Sequence, residues 1–172
     1  IATYPGDFAQ ALIALDATVQ ALGPKGKRTI RFADLHRLPQ DTPHIETVLE
    51  PGELITFIDV PAGPHTPRSH YVKIRDRSSY QFALTSAAVA LHIEGEVVRD
   101  VRIALGGVAA VPWRAHEAER LLLGKPFDEG AARAAAEAAF ADARTRPQNA
   151  FKLETGKATL VRALMETSMM QV

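Results

Sequence analysis

Apolar positions along this chain recur at helical spacing near the start, alternate or run continuously through the middle, and return to helical spacing towards the end. Phe8, Leu12 and Leu15 form the first helical stripe, and Asp7 in the Pro5-Gly6-Asp7 turn is placed to cap that helix. Residues 18–22 and 28–32 read as short strands around the turn Gly23-Pro24-Lys25-Gly26. After a polar loop at 39–43 and a Pro51-Gly52 turn, a strand is predicted over 53–60. There Leu54, Thr56, Ile58 and Val60 alternate with Ile55, Phe57 and Asp59, and apolar residues on both faces predict a buried strand.

The segment 61–69, PAGPHTPRS, holds three prolines and a glycine and reads as a linker. Beyond it, strands are predicted at 70–76, 82–93 and 97–105, the last two joined by a hairpin at Glu94-Gly95-Glu96. Three helices are then expected. Pro112 suits a first helical turn and Gly124 a C-terminal cap. Asp128 suits the N-cap of an alanine-rich helix over 129–144, and residues 157–169 place Leu160, Val161, Leu164 and Met165 on one face. Strands followed by helices predict an α+β fold. Its second module is a three-stranded antiparallel sheet packed with about three helices.

Composition narrows the functional classes. The 172 residues are 47% hydrophobic and 23% charged, the balance of an ordinary globular chain. Lys plus Arg and Asp plus Glu are 20 each, so no basic excess points to nucleic acid. No apolar run approaches the ~20 residues of a membrane span. The absence of cysteine removes disulfides, thiolate metal sites, iron–sulfur ligation and a cysteine nucleophile from these residues, and suits a cytoplasmic or a periplasmic protein alike. The opening Ile1-Ala2-Thr3 reads as part of something longer.

The six histidines lack the spacing of a zinc site, and Ser78 and Ser79 lack a nucleophile-elbow context. Gly106-Gly107 follows a strand but carries no dinucleotide or P-loop fingerprint, which favours a tight turn out of the sheet. The turn from Lys73 to Tyr80 gathers Lys73, Arg75, Arg77, two hydroxyls and an aromatic ring. Such a set suits a ribityl or phosphate group beside a flat ring, or simply a solvated basic turn with Tyr80 on the core. Asp7 is either a helix cap or an acceptor for sugar-like hydroxyls.

Several phrases occur in an order that resembles a known family. They are Tyr4-Pro5-Gly6-Asp7 with Ala11, Leu12, Ala14, Leu15 and Ala17, then Glu53-Leu54-Ile55 with Pro61, then Tyr71, Lys73 and Arg75. Arg75 to Leu84, Leu105 to Ala109 and Asn149-Ala150-Phe151-Lys152 complete the set. The pattern resembles the flavoprotein subunit of the molybdenum hydroxylases, the family of xanthine dehydrogenase, aldehyde oxidase and carbon monoxide dehydrogenase. The bacterial three-subunit aldehyde oxidases and xanthine dehydrogenases are the branch it is most similar to.

The resemblance implies that residues 1–61 end an FAD-binding α/β subdomain, that 62–69 link, and that 70–172 form the flavoprotein C-terminal domain. It implies FAD as cofactor, electrons passing from iron–sulfur clusters through FAD to an acceptor, and substrate oxidation at a molybdenum cofactor on a partner. The implied partners are an upstream FAD-binding segment, a molybdenum-binding large subunit and an iron–sulfur small subunit. Asp7 matches the acid that bonds the ribityl chain, Leu54 or Ile55 the aliphatic residue on the isoalloxazine face, and Lys73 a lysine at the flavin. Tyr80 lies in the loop near the ring edge. The family's glycine-rich pyrophosphate loops are absent from these residues. Two further readings stand beside this one: a non-catalytic assembly module that binds no cofactor by itself, and an unrelated ligand-binding α+β domain.

Overall fold

The computed structural model describes residues 3–172. Its order is helix α1 (Asp7–Ala14), strands β1 (Thr18–Gly23), β2 (Gly26–Arg31), β3 (Leu54–Asp59), β4 (Ser69–Ile74), β5 (Thr85–Glu94), β6 (Val97–Gly106) and β7 (Trp113–Arg114), then helices α2 (His116–Leu122), α3 (Glu129–Ala139) and α4 (Phe151–Ser168). The first three strands form one antiparallel sheet in the order β2-β1-β3. The other four form a second antiparallel sheet in the order β4-β5-β6-β7.

The second sheet is the middle of a three-layer stack. Val72, Ala87, Val89, Leu91, Val101 and Ile103 alternate along their strands and face α2, α3 and α4. Ala88 and Ala104 face the other way and join the core beneath α1. With both faces covered, most of β5 is buried. Its small residues let α1 approach closely. Alanine plays the same part in α3, where Ala132, Ala135, Ala136 and Ala139 line the buried face at helical spacing, and Asp128 caps the helix by accepting from the Ala131 N–H at 2.7 Å.

The structure corrects several expectations. The second sheet has four strands, because Trp113 and Arg114 pair with Leu105 and Ala104 where Pro112 suggested a helix start. Asp7 is the first residue of α1, not its cap: Gly6 holds that position and no side chain caps the helix. Phe8 points to solvent, while Ala9, Gln10, Leu12, Ile13 and Ala14 form the buried face. β5 begins only at Thr85. The Gln81 side chain holds the preceding loop, its Oε1 accepting from the N–H groups of Asp76 and Arg77 at 3.1 Å each.

α3 stops at Ala139 because Phe140 turns inward, stacking edge-on to Trp113 and packing over Gly156. α4 starts at Phe151, well before residue 157. Gly156 is therefore inside the helix, where a Cβ would lie 2.5 Å from the Phe140 ring. Finally, β3 is exposed along most of its length: Leu54, Phe57 and Ile58 face solvent, as does Val60 just after the strand. It sits at a sheet edge and pairs only with β1 among the described residues, so its two apolar faces are not both covered.

The proline-rich segment between β3 and β4 is tied down. His65 is buried there, its Nδ1 2.7 Å from Asp100 Oδ2 on β6. The Arg68 guanidinium donates to the Ser168 carbonyl at the end of α4.

Candidate functional site

Strand β4 supplies the site by simple alternation. Val72 enters the core against the helices, so Tyr71 and Lys73 project from the opposite face, toward α1. The start of α1 brings Asp7 over them. Tyr71 Oη donates to Asp7 Oδ1 at 2.8 Å, and Lys73 Nζ donates to Asp7 Oδ2 at 2.6 Å. Asp7 keeps 42% of its side chain exposed and Lys73 19%. The carboxylate is held by two donors and stays partly open to solvent. Burial raises the Tyr71 pKa, the facing Ser86 hydroxyl lowers it, and Asp7 raises it further; the net direction is up, so the phenol stays a donor.

The loop after β4 carries Tyr80. Arg75 donates to the Ser78 carbonyl at 2.7 Å, and Gln81 gathers two backbone N–H groups. Tyr80 adopts a left-handed conformation, φ 55°, and is 95% exposed. It does not pack on the core. Phe82 is exposed beside it in sequence. A bulky residue held at positive φ and turned outward is a strained arrangement of the kind found at ligand sites.

Leu54 and Ile55 lie in the other sheet. Ile55 packs against the core of α1 and β1, which leaves Leu54, 69% exposed, as the outward aliphatic residue. The turn before it is locked by Glu53. That carboxylate accepts from Arg28 Nε and Nη2 at 2.7 Å and from the Glu50 N–H at 2.6 Å. The Arg28 hydrogen bond first, then the Glu50 N–H, hold the Glu53 pKa down at about 2. The glutamate of the Glu53-Leu54-Ile55 phrase thus has a structural role.

Gly106 and Gly107 close the far end of β6 without any phosphate loop. Gly107 turns at φ 72°, and a Cβ there would lie 2.8 Å from the Leu84 carbonyl. Lys152 Nζ donates to that carbonyl at 2.8 Å and to the Gly107 carbonyl at 2.7 Å. Burial lowers the Lys152 pKa. The Asn149 to Lys152 phrase therefore serves the turn.

Of the five residues singled out in the sequence, the structure brings Asp7 and Lys73 into direct contact. Leu54, Ile55 and Tyr80 make none of the bonds that join them. Sequence reasoning missed Tyr71 as a member of the site. The signal was its position two residues before Lys73, which places both side chains on one face of a strand.

Asp7 and Lys73 fit a flavin nucleotide in kind: a half-exposed carboxylate suits polyol hydroxyls, and a cation suits a ring that gains electron density. Comparison with known proteins places the chain as a whole. Residues 1–63 match the FAD binding domain in molybdopterin dehydrogenase, and residues 70–167 match the CO dehydrogenase flavoprotein C-terminal domain. The chain is 44% identical over 167 residues to the aldehyde oxidoreductase FAD-binding subunit PaoB of Escherichia coli, covering 96% of this chain and 49% of that protein. It is 33% identical over 144 residues to the carbon monoxide dehydrogenase medium chain of Afipia carboxidovorans, covering 83% of this chain and 47% of that one. Quinoline 2-oxidoreductase from Pseudomonas putida 86 superposes with a TM-score of 0.83 at 26% identity, over 97% of this chain and 57% of that chain. The chain spans about half the length of the curated relatives it matches.

Proposed function

This chain belongs to the CO dehydrogenase flavoprotein family of molybdopterin dehydrogenases, and from that premise we propose that it is part of the FAD subunit of a molybdenum hydroxylase. In this reading residues 1–61 complete an FAD-binding domain, 62–69 link, and 70–172 form the flavoprotein C-terminal domain. FAD, when bound, relays electrons delivered by iron–sulfur clusters of a small subunit to an acceptor, while a large subunit oxidises substrate at its molybdenum cofactor. The observation that carries the reading is the Asp7–Lys73 contact, which joins the two family-matched segments at one polar site.

The chain's own residues bind and orient. Asp7 accepts from ribityl hydroxyls through the lone pairs that Tyr71 and Lys73 leave open. Lys73 sets a positive charge near the ring. Leu54, with its turn locked by Glu53 and Arg28, supplies an apolar wall, and Tyr80 borders the ring edge. The exposed faces of β3 suit an upstream FAD-binding segment that also carries the pyrophosphate loops. These 172 residues alone then lack the backbone N–H donors for the pyrophosphate, and the remaining hydrogen bonds, each worth about 0.5–1.5 kcal/mol net, do not offset the cost of immobilising FAD.

Reconstitution tests this. The complete subunit should take up FAD, and the 172 residues alone should not. Lys73→Met in the complete subunit should lower the flavin midpoint potential at full occupancy, with assembly intact. Saturable FAD binding by the short chain would refute the division between phosphate loops and this segment. A complete subunit that assembles without FAD would favour the scaffold reading.

A further inference from the structure

We propose that Tyr71 is a positioning residue that sets Asp7 for the cofactor; the inference rests on the FAD reading above. An ionised carboxylate has about four acceptor sites on its two oxygens. Here Tyr71 takes one on Oδ1 and Lys73 takes one on Oδ2. That leaves about two acceptor sites on a side chain that is 42% exposed. Lys73 alone would hold the carboxylate poorly, since an ammonium on a four-carbon stem is a mobile point charge. Tyr71 is different. Its ring is partly buried against the core that α1 shares with the second sheet, so its oxygen has a place fixed by packing. Ser86, opposite Lys73 in the β4–β5 register, adds a hydroxyl within hydrogen-bonding reach of the phenol. Asp7 is free for this because it does not cap its own helix. The arrangement fixes the carboxylate across the boundary between the two family-matched segments before any ligand arrives, the usual way of reducing the ordering cost of binding.

The test is a double-mutant cycle in the complete subunit, using Tyr71→Phe, Asp7→Asn and the pair. FAD affinity is measured by reconstituting the apoprotein and following flavin fluorescence, and the flavin midpoint potential is measured on the loaded protein. Phe keeps the ring in the core, so the Y71F apoprotein should stay folded and lose only the contribution of one hydrogen bond, a fall of a few degrees in melting temperature. Tyr71→Phe should weaken FAD binding by up to about tenfold, the equivalent of one hydrogen bond. Asp7→Asn should weaken it at least as much, and the pair should equal Asp7→Asn alone. The potential should fall in Y71F, where the carboxylate loses a neutralising donor, and rise in D7N, where Lys73 loses its counter-charge. Unchanged affinity in Y71F alongside weakened D7N, or fully additive losses, would overturn the positioning role and leave the FAD site standing. Unchanged affinity in D7N would overturn the FAD reading of the site itself.

Discussion

Replacing Glu119 by Ala should be among the most damaging single changes in the chain. Glu119 sits on α2 with 10% of its side chain exposed, and Arg114 on β7 with 7%. Glu119 Oε1 accepts from Arg114 Nε and from the Ile103 N–H at 2.7 Å. The same guanidinium donates through Nη1 to the Ile13 carbonyl at 2.6 Å and to Asp16 Oδ1 at 2.8 Å, at the end of α1. Removing the carboxylate leaves a buried cation with the Ile13 carbonyl and the exposed Asp16 as its remaining partners, and strands the Ile103 N–H. Breaking a buried pair on one side costs about 3–5 kcal/mol. With a urea m-value of about 2 kcal/mol/M, the midpoint should fall by about 1.5–2.5 M.

Trp113, the only tryptophan, adjoins Arg114 in β7 and reports the transition by fluorescence. Glu119→Gln keeps an acceptor for the Ile103 N–H and should cost less, about 1–3 kcal/mol. The double change Arg114→Met, Glu119→Leu removes both charges and should recover part of the loss, with the Ile103 N–H still unpaired. A Glu119→Ala midpoint within about 0.5 M of the parent, or a double variant as unstable as the single, would refute the reasoning.

Gly106→Ala should destabilise by about 1–3 kcal/mol, because its Cβ would crowd Ser86 Oγ and lie 2.5 Å from Gln10 Nε2 in the buried layer between α1 and the sheet; thermal melts of the variant and parent compare directly. Glu53 has a depressed folded pKa, so its contribution is complete above its ordinary value of 4.5 and is lost as pH falls through about 2. An NMR titration of its carboxyl should show that low midpoint, and Arg28→Ala should move it up toward 4.5; a Glu53 that titrates near 4.5 in the parent would show that the Arg28 pair does not hold it.

Local patterns were legible where neighbours in sequence are neighbours in space. The Glu94 to Glu96 hairpin forms with Gly95 at φ 61°, as its composition predicted, and β5 and β6 pair antiparallel around it. Asp128 caps α3, and Leu160 and Leu164 are fully buried on α4. Gly124 takes a left-handed conformation just past α2. These depend on turn chemistry and periodicity, which act over a few residues. β7 was not legible, because a two-residue strand carries no period and exists only by pairing with Leu105 and Ala104. Nor was the end of α3, where Phe140 follows a helix-forming run but leaves it to fill the space over Gly156.

By itself, then, the sequence determined which residues share a face: Tyr71 with Lys73 on β4, Ala132 with Ala135 and Ala139 on α3. It also carried, through its ordered phrases, the family to which the chain belongs. Only the tertiary structure decided what each face meets. Asp7 could cap a helix or receive donors, and the docking of α1 across the second sheet settled it in favour of Tyr71, 64 positions away in sequence. Leu54 could be core or surface, and the edge position of β3 left it exposed. The physical reason is the same in both cases. Alternation and helical period are properties of one element's backbone, whereas a carboxylate's partner and a strand's covering belong to the packing between elements, which no local period encodes.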